Sequence, residues 1–448
     1  MVGSGRETVG IILAGGRGER AKPITLESAD YIRSKALIPF AGRPLVEWLV
    51  EACRRQGIRR FYVVAQGLEN RSQIKLLLGH GERLGVEVQY SRARFDRYNV
   101  GSGAATLHNL EQWDLTEQAL VLPVDSIFEF SLAGLQAAQE ASGALVTVAV
   151  VPRSPTEAAG KYGVVRTDAD GRVVGFVEKP GLERIRELFP ADGRAPGGAV
   201  VPTNAGMYLV DSRRLRAAAR DPELMRQAQQ RLDWGGDLLP WLVDRGLPVA
   251  AAPIGRLGDL GNVEDYLVTM KDVLGGGYPQ MDGLMARPND ERLRCWIDRT
   301  SLATRDELTG TTLAEKIGSG SVVLGPGVRI GRHVEIGPGV RMEYCDIGDG
   351  AELRQGALVS GASCGDSSVI GPYAEISDSY VGPMAEVRSE RRRPVRLEQY
   401  SAVGDGARLW PGTRLSGVSV YPRLKLPRIT DLPSGTSITS SDDIRRWA

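Results

Sequence analysis

The chain has few of the residues that build redox or metal frameworks: four cysteines and three histidines among 448 residues. Cys53, Cys295, Cys345 and Cys364 are widely spaced and form no C-x-x-C, which argues against a disulfide or zinc scaffold and for free thiols in a reducing compartment, the cytoplasm. Charge of one sign is missing too. Lys+Arg 56 against Asp+Glu 55 leaves a formal +1, so no global field draws the protein to nucleic acid or an anionic membrane, and any phosphate site must be local. No apolar run approaches the roughly 18 residues of a membrane span, and the opening MVGSGRETVG lacks the apolar core of a signal peptide. Aromatics are scarce at 6%, while 42% hydrophobic and 25% charged residues are ordinary for a globular protein whose length suggests two or three domains.

Through the first 270 or so residues, short apolar runs alternate with helical patterns. VGIILA (9–14), RFYVVAQ (60–66), VEVQYS (86–91), ALVLPVDS (119–126) and ALVTVAVVP (144–152) read as strands of a largely parallel α/β sheet. KYGVVRTDADGRVVGFVEKP (161–180) alternates on either side of Asp170-Gly171, the signature of a hairpin, so antiparallel strands join that sheet. Beyond Leu274 the rhythm changes. In SVVLGPGVRIGRHVEIGPGV the pairs Leu324-Gly325, Ile330-Gly331 and Ile336-Gly337 recur every six residues, as do Val322, Val328, Val334 and Val340. A hexad beat with an aliphatic pointing inward and glycine at the corner predicts a parallel β-helix. SERRRPVR (389–396) should loop out of it, because four arginines cannot enter the shaft. The expected division is 1–274 for the α/β domain, 275–310 for a linker, 311–425 for the β-helix and 426–448 for a tail.

Among the glycines, those of IILAGGRGERAKPIT (11–25) carry the chemistry. The stretch falls where the first parallel strand ends, the edge at which α/β sheets bind ligands. Gly15, Gly16 and Gly18 let backbone N–H groups converge on an anion, and Arg17, Arg20 and Lys22 add charge. A P-loop string is absent. The dinucleotide string G-x-G-x-x-A is present from Gly16 to Ala21, but Pro23 and the polar TLESADYIRS leave no amphipathic helix behind it.

LAGGRGERAKPIT followed by SKALIPFAGRPLVEW resembles the head of the sugar-1-phosphate nucleotidyltransferases, and further motifs follow in that family's order. They are GSGAATL (101–107), LPVDS (122–126), FVEKP (176–180), NAGMY (204–208) and LGDLGN (257–262). The resemblance implies a Rossmann-like mixed-sheet nucleotidyltransferase domain followed by a left-handed parallel β-helix. The implied reaction is Mg²⁺-assisted attack of a sugar 1-phosphate on the α-phosphate of an NTP, with release of pyrophosphate. ADP- or GDP-sugar formation from glucose 1-phosphate, mannose 1-phosphate or a cyclitol phosphate is the expected form, and homo-oligomerisation through the β-helix is expected as well. By the same resemblance Leu13, Ala14, Gly15, Gly16, Arg17, Gly101 and Ser102 would hold the nucleotide, with Arg20 and Lys35 drawing in the triphosphate. Asp125 and Asp259 would bind the metal, and Gly163, Glu178, Lys179 and Asn204 the sugar phosphate.

The chain departs from the family pattern at Glu19 (threonine in the family), Ala36 (the proline of K-P), Val124 (glycine) and Asn262 (threonine). About five extra residues also separate Thr25 from Lys35. Glu19 motivates a second reading, a catalytically weak regulatory or scaffold subunit. A third, an acyltransferase in the β-helix, would need a histidine base. Only His333 lies in that region, in a regular hexad that predicts an outward surface position.

Overall fold

The computed structural model describes residues 7–16, 18–27, 32–190, 200–306, 309–430 and 432–447. They form two compact units, Met1–Gly16 with Leu49–Leu257, and Arg17–Trp48 with Gly258–Ala448.

The first unit is built on a nine-stranded mixed sheet. Its strands are β1 (Thr8–Leu13), β2 (Arg60–Val64), β3 (Glu87–Tyr90), β4 (Gln118–Pro123), β5 (Val146–Arg153), β6 (Val164–Thr167), β7 (Val173–Val177), β8 (Val201–Asp211) and β9 (Val249–Pro253). Order across the main path is β7-β6-β8-β4-β1-β2-β3, with β5 pairing both β8 and β9. The apolar runs at β1, β2 and β4 pair in parallel, as continuous Val/Ile/Leu segments buried on both faces do. The hairpin read at Asp170-Gly171 is present: β6 and β7 are antiparallel, and the Asp168 carboxylate closes the turn by accepting from the Asp170 and Arg172 N–H groups at 3.0 and 2.9 Å. Val9, Ile11, Val121, Val146, Val148 and Val210, all buried, form the centre of the core.

In the second unit, three parallel sheets of eight, six and six short strands form the left-handed β-helix, running from Trp296–Ile297 to Ser437–Ile438. Pairing partners lie 17 residues apart: Val328 with Cys345, Asp346 with Ser363, Glu335 with Glu352. The hexad is therefore not strict. Buried residues Ile330, Ile336, Met342, Ile347, Leu353, Val359, Cys364 and Ile370 advance by six, six and then five, so one side of each coil is a residue short. Left-handed backbone repeats the beat at the corners, at Gly327, His333, Gly339, Tyr344, Gly350, Gly356 and Gly361. The step grows to 22 between Glu386 and Arg408, because residues after Val387 bulge outward before Arg396–Glu398 rejoins the coil. His333 is exposed at its corner, as the hexad predicts.

Stacked corners leave no space for a side chain. A Cβ on Gly348 would sit 2.5 Å from the Asp366 backbone nitrogen of the next coil. Gly348→Val should therefore destabilise the β-helix by about 2 kcal/mol, read as a lower urea midpoint in its unfolding transition; an unchanged midpoint would mean that the coils part to admit it.

Candidate active site

In the first unit, the glycine loop leaves β1 at the sheet edge where Asp125 also lies. Leu13 pairs with Val64 on one side and Pro123 on the other. Its carbonyl accepts from Val124 N–H at 3.2 Å, and Ala14 N–H donates to the Val64 carbonyl at 2.8 Å. Asn70 Nδ2 donates to the Ala14 carbonyl at 2.7 Å, pinning the loop from the helix Leu68–Leu78. Gly15 lies against Gln66, where a Cβ would be 3.5 Å from the Gln66 Cβ, and Gly16 is exposed. Asp125 is half-buried in the turn after β4. Parallel pairing thus brings Leu13, Ala14, Gly15 and Asp125 to one edge.

Gly101 has φ 101, and a Cβ there would meet the Leu232 carbonyl at 2.4 Å, so only glycine fits. Ser102 opens helix α1 (Ser102–Gln112) and is held by the segment 233–234: its N–H donates to Asp233 Oδ1 at 3.0 Å, and its hydroxyl accepts from Trp234 N–H at 3.0 Å. Asp237 accepts from the Asp233 N–H at 2.7 Å.

The residues expected at the sugar phosphate form one cluster. Asn204 N–H donates to the Gly163 carbonyl at 2.8 Å, and its side chain is oriented by the Tyr208 hydroxyl (2.9 Å) and Gly206 N–H (2.9 Å). The Glu178 carboxylate is seated between two glycines: Cβ atoms on Gly163 and Gly235 would lie 2.7 and 2.5 Å from its Oε2. Lys179 Nζ stands 3.9 Å from Glu178 Oε1, on a residue with φ 46. Sequence reading left out Trp234, which stacks on Tyr208 at 4.2 Å and 15°, and Gly235. The available signal was Trp-Gly-Gly, an aromatic followed by two residues with no side chain.

In the second unit, Glu19–Ala21 is a single 3-10 turn, entered through Gly18 at φ 71. Thr25 Oγ1 donates to the Gly18 carbonyl at 2.6 Å, and a Gly18 Cβ would be 3.1 Å from the Lys35 Cγ, so Gly18, Thr25 and Lys35 pack together. Arg20 and Asp259 meet at Gly261: its N–H donates to Asp259 Oδ1 at 2.8 Å, and Arg20 Nη2 comes within 3.1 Å of where its Cβ would be. Arg17 lies outside the described residues. Among the described residues no group of three or more His, Cys, Asp or Glu side chains forms a metal cluster.

Each departure from the family pattern has a local physical account. Glu19 is largely exposed and pairs with Lys22 at 2.5 Å. Ala36 donates its N–H to Ser34 Oγ at 3.2 Å, a bond that proline cannot make. Val124 is buried beside Leu13. Asn262 caps helix α2 (Val263–Leu274), accepting from Asp265 N–H at 2.8 Å. The extra residues after Thr25 pair Leu26–Glu27 with Ile32–Arg33 and deliver Arg33 to Asp405. Arg33 also donates to the Tyr380 hydroxyl at 3.3 Å. Tyr380 and Phe40 each meet Tyr266 edge-on at 5.8 Å, and Tyr266 donates to the Pro39 carbonyl at 2.8 Å.

A glycine loop, an aspartate-tipped strand and a polar cluster at one sheet edge define a nucleotide-handling α/β enzyme. The nucleotidyl transferase family model matches residues 9–275, and the chain belongs to that family. The resemblance drawn from the motifs is thereby borne out. The chain is similar to a UTP–glucose-1-phosphate uridylyltransferase of Synechocystis sp., 28% identical over 376 residues, 80% of this chain and 88% of that protein. It is also similar to glucose-1-phosphate adenylyltransferases of Shewanella oneidensis (31% over 250 residues) and Shewanella sp. strain ANA-3 (35% over 250 residues). Those matches cover 54% of this chain and span about half, 56%, of each adenylyltransferase. Among the described residues no helix is long and apolar enough to cross a membrane.

Two predictions follow from this geometry. Partial desolvation lifts the pKa of Glu178, whose side chain is 36% exposed, above its ordinary value, with Lys179 pulling it down and Asp233 pushing it up. The folded protein then keeps this proton to higher pH than the unfolded chain. The cost of holding the ionised carboxylate is absent below the ordinary carboxylate pKa and complete above the raised one. Glu178→Gln should melt with the wild type near about pH 4 and above it near about pH 8; a difference independent of pH would contradict the assignment. Asp405→Ala leaves the mostly buried Arg33 without its carboxylate and should cost about 3 kcal/mol, whereas Arg33→Met with Asp405→Leu should recover most of that in the same urea titration.

Proposed function

We propose that this chain transfers a nucleotidyl group from an NTP to a sugar 1-phosphate, with glucose 1-phosphate as the first candidate, and releases pyrophosphate. The observation that carries the reading is the cluster of Gly163, Glu178 and Asn204 in the unit whose sheet edge bears the glycine loop and Asp125. Both substrates are anions, so the protein has to neutralise charge and hold the attacking oxygen in line. In this reading the backbone of Leu13, Ala14, Gly15 and Gly16, with Arg17, Gly101 and Ser102, binds the nucleotide, while Arg20 and Lys35 take the triphosphate. Glu178 and Asn204 accept and donate to sugar hydroxyls, Gly163 adds a backbone contact, and Lys179 pairs the sugar phosphate. Its side chain is exposed, within reach of an incoming anion. Asp125 and Asp259 are the carboxylates offered to Mg²⁺. When bound, the ion would neutralise charge on the α-phosphate.

The glucose-1-phosphate enzymes among the relatives support the sugar and divide on the base, one taking UTP and the others named as adenylyltransferases. The nucleobase is therefore put to the experiment together with the ADP and GDP forms expected from the motifs. The pairing of Glu19 with Lys22 removes the observation that favoured a weak regulatory subunit. We also propose that the β-helix mediates self-association in the cytoplasm, which light scattering of the whole chain tests.

Pyrophosphate release with Mg²⁺, crossing ATP, GTP, UTP, CTP and dTTP against a panel of sugar 1-phosphates, should require one nucleotide and one sugar. Lys35→Ala and Asp125→Asn should each lower turnover by about 10²-fold or more with the fold intact. Near-normal turnover in both variants would sink the assignment.

A further inference from the structure

The β-helix carries the arginine-rich turn that the catalytic reading leaves unused. Pairing partners advance 17 residues per coil until Val387; Arg388 still donates its N–H to the Leu409 carbonyl of the next coil, and the segment 390–394 then leaves the coil. This turn is closed on itself. Arg393 N–H donates to the Glu390 carbonyl at 3.0 Å, the two side chains pair at 3.1 Å, and Ser389 Oγ accepts from Val395 N–H at 3.0 Å. It walls one side of an open groove of about 1030 Å³ over the sheet that contains Val369–Ile370, Glu386–Val387 and Lys425–Leu426.

The lining is cationic. Arg354, Arg388, Arg393, Lys425 and Arg428 face Glu386 and Glu390, five positive groups against two negative, a surplus of three. Both carboxylates are already committed, Glu386 to Arg388 at 2.7 Å and Glu390 to Arg393. Lys425 and Arg428 pair with no carboxylate among the described residues. The Arg428 guanidinium and the base of the Arg393 side chain both lie over Gly412, where a Cβ would lie 3.1 Å from Arg428 Nε and 3.6 Å from Arg393 Cβ. A surplus of like charge lining one groove favours an anion within it. Beside them Trp410, partly exposed, presents its indole under the Arg388 guanidinium at 4.8 Å. Concavity favours a compact ligand over a flat surface partner, and the groove is large enough to admit a nucleotide-sized molecule.

We propose that this groove binds a small molecule carrying two or more phosphates, the phosphates at Arg393, Lys425 and Arg428 and a ring against Trp410. The groove lies outside residues 9–275, which the family model matches, so it is a second site.

The test is calorimetry on the whole chain, with ATP and inorganic tripolyphosphate as probes. The wild type should bind one equivalent of ATP in the groove, in addition to any taken by the catalytic site. Arg393→Ala with Arg428→Ala should weaken the groove equivalent by on the order of 100-fold while pyrophosphate release is unchanged, and Lys35→Ala should leave the groove equivalent intact. Lys425→Glu should reproduce the loss, and Trp410→Ala should weaken ATP more than tripolyphosphate. A single equivalent that survives every groove variant would overturn the proposal. So would an equal loss in Arg445→Ala with Arg446→Ala, which would reduce the effect to general surface charge. Tighter binding of a single-stranded oligonucleotide than of ATP, abolished by the same groove variants, would replace the small molecule with a nucleic-acid backbone.

Discussion

Closure of each β-helix coil against the next is the constraint from which the second unit follows. Every short strand hands its backbone hydrogen bonds to the coils above and below, about 4.8 Å away, so a corner residue has its counterpart one coil on directly overhead. Aligned charges then have to alternate or be separated. Arg329 bonds Asp346 at 2.6 Å and Arg332 bonds Asp349 at 2.6 Å, each pair 17 residues apart and so stacked across adjacent coils. Across the longer step after Val387 the stacking continues, Arg396 pairing with Glu375 at 2.8 Å and Arg408 with Glu386 at 3.0 Å, while Arg393 is carried on the turn outside the shaft.

The same shaft supports the segment that follows the glycine loop. Arg17–Trp48 belongs to the compact unit of the β-helix rather than to that of the nine-stranded sheet. Arg33 reaches Asp405 and Tyr380, Phe40 and Tyr266 stack edge to face, and Tyr266 shares a hydrogen bond of 3.1 Å with Ser363. Lys35 follows Arg33 by two residues, so the position of its backbone is set by an ion pair with a coil some 370 residues away in sequence. The loop that begins on β1 is thus divided between two units at Gly16, and the β-helix acts on the candidate chemistry through covalent continuity.

Much of this was legible in the sequence for identifiable reasons. Continuous aliphatic runs ending in glycine or aspartate gave the parallel strands and their functional edge, because burial on both faces leaves little freedom of composition. The Asp170-Gly171 turn gave the antiparallel hairpin. The hexads gave the β-helix, although three in-phase repeats conceal the five-residue side that first appears between Met342 and Ile347. What local pattern could not give were pairings over long separations. Nothing in TLESADYIRS announces Asp405, and nothing in WGG announces Tyr208, since each partner is chosen by the fold. The departures from family pattern were visible as letters but opaque as physics until Ala36, Asn262 and Glu19 were seen with their hydrogen-bond and ion-pair partners.

The Arg33–Asp405 pair also bears on how separable the family domain is in this protein. A chain cut after residue 274 would keep every shared motif, yet it would expose the guanidinium of Arg33 and the rings of Phe40 and Tyr266, whose cover comes from Tyr380, Ser363 and Asp405. Recombination that exchanged the β-helix for another would have to bring a matching carboxylate and aromatic face with it. Arg17–Trp48 and the β-helix belong to one compact unit, so the end of the family match at residue 275 is not a boundary between units.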